Sequence, residues 1–387
     1  MTQSAYLLRE QTEPLIRSGD AHYYSLEYDK ALKDYEHFAK QHPDDVYAIN
    51  QELKTVIFKE LYRLNLLDTT LYAKDGFLNR TQPEAADPKV RERVEGLYAD
   101  ALDLAQAKLK ANPDDVDVLY CRGVSKGLHA TYLAMVDKSF IAALRGAVAA
   151  RRDHERVLEL DPGYIDAKTV VGTQLYIVGS LNLPMKVLAG LTGLSGSKKK
   201  GLQYLNDVAE AGAATSVDAR VALALFLRRE AKYDQALAVA RSLREQFPRN
   251  FLFALEEANL LKDKGAGMQA ADAYRRLLDA GSKQYPDAHF ELAAFGMGES
   301  LRGQNDLPGA VRAYDSVGEM KNVQPHLRSR ALLASGQLYE KLGNAEMASK
   351  RFKQVVAADG SGSYGSEASR ALKSLSKKGS NLPSTEP

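Results

Sequence analysis

Three short stretches of this 387-residue chain are spelled like chemical motifs, and its histidines invite a fourth reading. "GVSKG", Gly123 to Gly127, has the letters of the turn that lifts a serine nucleophile above a sheet, whose chemistry would be acyl transfer with distant His and Asp partners. "GSGSYG", Gly360 to Gly365, has the letters of a dinucleotide-binding glycine loop. "GLTGLSGSKKKG", Gly190 to Gly201, has the glycines and lysines of a phosphate loop. The histidines, His22, His37, His42, His129, His154, His289 and His326, would be the metal ligands if there were any.

Each chemistry needs an element that the surrounding sequence withholds. A nucleophile elbow requires a strand before its serine, but Ser125 sits inside a helical pattern in which Gly123 and Gly127 are small residues for close helix approach. The glycines at 360–365 follow the helical "SKRFKQVVAAD" rather than a strand, so they read as a helix stop and linker. In the lysine-rich stretch Ser197 stands where a phosphate loop needs lysine, and no Ser or Thr follows the lysines to meet magnesium. The histidines contain no H-E-x-x-H and no ligand pair four apart, and Cys121 is the only cysteine, which reads as a small core residue. No catalytic residue, no metal site and no cofactor is expected. The acidic pairs Asp44–Asp45 and Asp114–Asp115 read as helix caps.

Composition supports a globular reading and little else. A net charge of +2, from 52 basic against 50 acidic residues, lacks the basic footprint of a nucleic-acid binder. The first twenty residues carry no long apolar stretch after a basic start and no small-residue cleavage site, so the default localisation is cytoplasmic, and export would follow only from a truncated or mis-assigned start.

What does recur is helical. "LEYDKALKDYEHFAKQHPDD", "AKYDQALAVARSLREQFPRN", "NDLPGAVRAYDSVGEM" and "GNAEMASKRFKQVVAADG" align on Ala31, Ala236, Ala310 and Ala348. An aromatic follows four residues later at Tyr35, Tyr314 and Phe352, on the same helix face as the alanine. Pro43 and Pro248 end the first two helices. Twelve positions before the later alanines stand Ala224, Ala258, Gly298 and Gly336, small enough for two helices to touch. The register steps by 34 residues from Ala236 to Ala270, then by 40 to Ala310 and 38 to Ala348.

This pattern resembles the tetratricopeptide repeat family, in which a helical hairpin of roughly 34 residues recurs with small residues and a terminal proline at fixed offsets. The resemblance implies an all-α fold, a right-handed α-solenoid of about eight hairpins ended by a capping helix. Residues 1–111 hold N-terminal hairpins with an insertion near 66–88. Residues 112–212 hold irregular central hairpins with an apolar loop at 180–197. The C-terminal repeats occupy 213–358, a linker and capping helix 359–379, and a disordered tail 380–387.

The resemblance also implies a groove. On each C-terminal first helix one face is small and apolar, as in Ala258 with Leu261 or Gly298 with Leu301. The opposite face carries Leu225 and Arg228, Asn259 and Lys262, Glu299 and Arg302, and Gln337 and Glu340. In the family that face lines the concave surface where a partner peptide or helix lies. Arg228, Lys262 and Arg302 would stack into a basic stripe suited to an acidic segment. The lysine and asparagine positions of a carboxylate clamp are missing. The function implied is a non-enzymatic scaffold or adaptor for another protein, with no nucleic acid and no small-molecule substrate. The alternative is a peripheral membrane or lipid-associated adaptor in which Leu183, Met185, Val187, Leu188, Leu191 and Leu194 of the loop touch a bilayer beside Lys198, Lys199 and Lys200.

Overall fold

The structure, a computed structural model, describes residues 9, 11–73, 86–182, 186, 190, 193, 195–360 and 362–380, the last three without their side chains. Among these residues there are seventeen α-helices and no strand. The chain packs as two compact units, Met1–Phe253 and Ala254–Pro387.

Unit 1 is built of hairpins in which consecutive helices fold back on each other. They are α1 (Pro14–Tyr23) with α2 (Tyr28–Gln41), α3 (Val46–Arg63) with α4 (Pro88–Ala111), α5 (Val116–Met135) with α6 (Phe140–Leu160), α7 (Ala167–Ser180) with α8 (Lys198–Ala211), and α9 (Ser216–Arg229) with α10 (Tyr233–Gln246). Helix α11 (Phe251–Asp263) crosses the division and forms a hairpin with α12 (Gly267–Gln284). In unit 2 follow α13 (Phe290–Gly303) with α14 (Leu307–Glu319), α15 (Pro325–Lys341) with α16 (Ala345–Asp359), and α17 (Ser363–Ser380). Among the described residues the helices thus pair as eight tetratricopeptide-like hairpins followed by a capping helix.

Local sequence sets the starts of these helices. Asp45 accepts from Tyr47 N at 3.0 Å and Asp115 from Val118 N at 3.0 Å, so the second member of each acidic pair is a cap. The first member pairs sideways, Asp44 with Lys108 at 3.7 Å and Asp114 with Arg156 at 2.9 Å. Asp87 caps α4, with Pro88 at a position whose missing N–H costs nothing. Such caps stabilise a helix by about 1 kcal/mol each.

Five of the turns inside hairpins share one geometry. A residue with positive φ stands five positions before the repeat alanine: Leu26, Ala231, Gly265, Asn305 and Gly343, before Ala31, Ala236, Ala270, Ala310 and Ala348. In each, the next N–H returns to a carbonyl five residues back, as Lys232 N to Leu227 O at 2.9 Å and Asn344 N to Tyr339 O at 2.9 Å. The bond closes the first helix and aims the second back along it.

The alanines and aromatics then interlock as the register requires. Ala31, Ala236, Ala270, Ala310 and Ala348 are fully buried, and so are Tyr35, Tyr274, Tyr314 and Phe352. The rings lie on the small residues of the first helix. A Cβ on Gly298 would meet Tyr314 Cε1 at 2.7 Å, and one on Gly336 would meet Phe352 Cε1 at 2.6 Å. Helix α17 closes the end of unit 2 by laying Tyr364, Ala368, Ala371, Leu372 and Leu375 over Leu333, Phe352 and Val355.

The apolar loop leaves and returns at one place. Gly172 and Gly201 let α7 and α8 touch backbone to backbone, and Ser197 N bonds Leu175 O at 2.9 Å. The buried Arg151 fixes the return through Ser195 O at 2.8 Å. Leu183, Met185, Val187, Leu188, Leu191 and Leu194 lie outside the described residues, as does the tail from 381.

Unit 1 also closes on itself. Tyr24, in the turn between α1 and α2, accepts Asn250 Nδ2 on its carbonyl at 2.7 Å, and its hydroxyl reaches Asp218 Oδ1 on α9 at 3.3 Å. Arg249 pairs with Glu27 at 2.7 Å, and the Tyr24 and Phe247 rings sit 5.1 Å apart. The first and last hairpins of the unit are therefore direct neighbours.

Candidate functional site

The face opposite the packed alanines is organised by a repeated hydrogen bond. In three hairpins the ring of the second helix donates its hydroxyl to a side chain fifteen residues earlier: Tyr35 to Asp20 at 2.5 Å, Tyr274 to Asn259 at 2.6 Å, and Tyr314 to Glu299 at 2.5 Å. Those acceptors follow directly on the small residues Gly19, Ala258 and Gly298, so small residue, acceptor and ring form one device. Burial first, and then the carboxylate acceptor, push the Tyr314 phenol well above its ordinary range. Where the ring is Phe352 there is no hydroxyl, and the corresponding Gln337 instead donates to Glu367 of α17 at 2.8 Å.

In unit 2 this device sorts the expected groove residues. Asn259 is buried and Glu299 half-buried, both used by the tyrosines. Lys262 and Glu340 are half-buried, and Gln337 and Arg302 are exposed. Arg302 lies 3.7 Å from Glu299, with its own side chain 46% accessible. The structure brings Glu299 and Arg302 together as an ion pair on α13.

Unit 1 requires a correction. Arg228, expected on an open face, is 4% exposed, and its Nη1 donates to Thr69 Oγ1 at 2.9 Å. Arg229 Nη1 donates to Tyr72 O at 2.6 Å. Leu225 is half-buried beside them on α9. The short 3₁₀ turn Thr69–Leu71, in the insertion after α3, thus lies across the α9 position where an outside partner was expected. Asp68 caps that turn at Thr70 N, and the Tyr72 hydroxyl ties back to Leu66 O at 2.6 Å.

The motif-like serine is structural. Ser125, mid-way along α5, is fully buried and donates to Asn50 Oδ1 at 2.6 Å and towards Cys121 O at 3.0 Å. Asn50 Nδ2 in turn donates to Cys121 O at 2.8 Å, which fastens α3 to α5. Cys121 is buried in the core. Gly123 admits the edge of His154, whose Nε2 would be 2.9 Å from a Cβ there, and Gly127 faces Ala150. Neither ring nitrogen of His154 has a hydrogen-bond partner, and burial lowers its pKa to about 4, with Asp153 opposing and Lys126 adding to the shift. Gly360 and Gly362 lie between α16 and α17, and Gly365, in the first turn of α17, donates its N–H to Asp359 at 2.7 Å. Among the described residues no group of three or more His, Cys, Asp or Glu could hold a metal ion, and no helix is long and apolar enough to cross a membrane.

Sequence reading missed two features of these faces. Arg330 places its guanidinium 4.4 Å above the Phe295 ring, adding a third cation to the first helices of unit 2. Its signal was present, since Arg330 stands seven residues before Gln337 on one helix face. The contact of Thr69 with Arg228 joins residues 159 apart and has no local signature.

No family model matches the chain, and no curated protein matches it. Among solved structures it is similar to yeast Tom70, at 11% identity and a TM-score of 0.45, over 98% of this chain and 92% of that one. It is also similar to a tetratricopeptide repeat protein from Parabacteroides merdae, at 13% identity and a TM-score of 0.35, over 84% of this chain and 98% of that one. The tetratricopeptide-like fold of this chain rests on its own hairpins, with their common turn and ring-on-small-residue packing.

Proposed function

We propose that the protein is a non-enzymatic scaffold whose unit 2 binds a partner peptide or helix along the first-helix face of α11, α13 and α15. The observation that carries this reading is the division of labour on that face. Asn259 and Glu299 are held by tyrosines, while Lys262, Arg302 and Arg330 present cationic heads at or near the surface. Three cations on one face favour an acidic partner segment, by steering its approach and by rejecting basic competitors. Arg228 plays no part in that face, because its charge is used inside unit 1.

The test is recovery of the natural partner from native lysate by wild type and by the Lys262→Glu, Arg302→Glu double variant. Loss of the same bands with an unchanged melt supports the reading, and equal recovery by both proteins removes it.

A further inference from the structure

One edge of unit 1 exposes more apolar side chain than its neighbours. Ile141 on α6 is 73% accessible and Ile177 on α7 is 49%, with Phe140 and Leu144 also exposed. They share one surface. Phe140, Ile141, Leu144 and Val148 recur at helical spacing on the start of α6. The end of α7 lies beside that start: Gln174 donates to Ala147 O at 3.0 Å, and Val148 packs on Val178 and Leu181. The start of α8 abuts the end of α7, since a Cβ on Gly179 would stand 2.7 Å from Lys198 N.

The two segments that form this surface carry basic charges only, of which Arg151 is paired beyond them with Glu155 at 2.7 Å and Lys168 with Asp207 at 2.9 Å. Residues 138–152 contain Lys138, Arg145, Arg151 and Arg152 and no acid, and residues 167–206 contain Lys168, Lys186, Lys198, Lys199 and Lys200 and no acid. The acids that flank the surface are already engaged. Asp137 pairs with Arg91 at 2.7 Å, Asp153 with Arg122 and Lys126, and Glu230 with Lys198 and the Tyr176 hydroxyl. Arg145 and Lys199 are exposed, and Lys200 lies 5.2 Å from the Tyr204 ring centroid at the surface. Lysines at the start of α8 oppose the helix dipole, so helix stability does not account for them.

Exposed large apolar side chains rimmed by cations are what an anionic membrane surface selects: the apolar groups enter the headgroup boundary and the cations meet lipid phosphates. We propose that the edge formed by the start of α6, the end of α7 and the start of α8 docks on an anionic lipid bilayer through Phe140, Ile141, Leu144 and Ile177, with Arg145, Lys199 and Lys200 on the headgroups. The contact is peripheral, and it is independent of the partner-binding face proposed for unit 2.

The experiment is co-sedimentation of the full chain with vesicles of equal parts phosphatidylcholine and phosphatidylglycerol, and with vesicles of phosphatidylcholine alone. Wild type should pellet with the anionic vesicles, more weakly as salt is raised, and with phosphatidylcholine much less. Ile141→Glu with Ile177→Glu should lower the anionic partition about tenfold or more, from lost apolar contact. Lys199→Gln with Lys200→Gln, at two exposed positions, should lower it about tenfold through loss of charge while the melt stays unchanged. Met268→Glu, equally exposed at 73% but in unit 2, should leave it unchanged. Three results would overturn the proposal: no binding to anionic vesicles, binding that survives both double variants, or a wild-type dimer that Ile141→Glu with Ile177→Glu turns into a monomer, which would make this edge a contact between two copies.

Discussion

Arg228 Nη1 and Thr69 Oγ1 meet at 2.9 Å inside unit 1, joining α9 to a turn 159 residues away. The contact makes Arg228 a core residue. Thr69→Val, which keeps the shape and removes the acceptor, should cost about 1 kcal/mol in a chemical melt. Arg228→Glu removes the donor to Thr69 and leaves a carboxylate buried without the contacts made by the guanidinium, and should cost about 3 kcal/mol or more, whereas Arg302→Glu at an exposed position should stay within about 0.5 kcal/mol. Equal melts for the two arginine variants would show that the turn does not hold Arg228.

A pair of glycines makes the packing rule measurable. Gly96 lies exposed in the middle of α4 with nothing within 4 Å of an added Cβ, so Gly96→Ala should raise stability by about 0.5–1 kcal/mol. Gly298→Ala would push its Cβ against Tyr314, which is held by Glu299, and should cost about 1–3 kcal/mol. Thermal melts of the two variants should move in opposite directions.

The shared hairpin turn yields a stabilising change. Ala231 holds φ at 54° where Gly265 and Gly343 do the same job in other hairpins. A side chain in that conformation costs about 1 kcal/mol, so Ala231→Gly should stabilise unit 1 although glycine is otherwise unfavourable. The reverse change, Gly265→Ala, should destabilise its hairpin, and a melt that ranks the two the other way would contradict the turn geometry.

His154 predicts acid lability with a definite sign. Its folded pKa is about 4 against an ordinary 6.5, so the fold holds the neutral ring. The associated stability is present above 6.5 and is lost as pH falls through the window from 6.5 to about 4. Fully expressed, the loss approaches about 3 kcal/mol. Asp20 and Asp218 have opposite leverage, because burial raises both carboxyls despite the nearby Lys54, and protonation then favours the fold. The measurement that isolates the ring is therefore the difference between wild type and His154→Leu. In urea melts across that window the wild type should lose more stability than the variant, and parallel curves would exclude the effect.

How much the sequence discloses depends on the range of the interaction. The repeat register was legible because Ala31, Tyr35, Ala310, Tyr314, Ala348 and Phe352 act within one hairpin, where spacing is geometry. The helical setting of Ser125 and the capping by Asp45 and Asp115 were legible for the same reason. The burial of Arg228 was not, because its partner arrives from an insertion with no pattern of its own. Arg302 and Gln337 are exposed, but that Gln337 reaches Glu367 depends on where α17 lands, which no local spacing discloses. The exposed Ile141 and Ile177 follow an ordinary amphipathic pattern, and only the packing of α6 and α7 reveals that these side chains stand outside the core.

The bonds from Tyr24 to Asn250 and Asp218, and from Glu27 to Arg249, have a kinetic consequence. An open repeat array can add or shed hairpins at its ends one at a time, since each touches only its neighbours. Unit 1 cannot unzip in that way, because its first hairpin is also clamped by its last. Fraying from either end must break a contact that spans more than 190 residues, so the unit should open as a whole rather than by steps. During synthesis the first hairpin must wait for residue 250 before its final surface is covered, which makes unit 1 slower to mature than a local helical array of equal length and leaves its N-terminal face exposed in the interval.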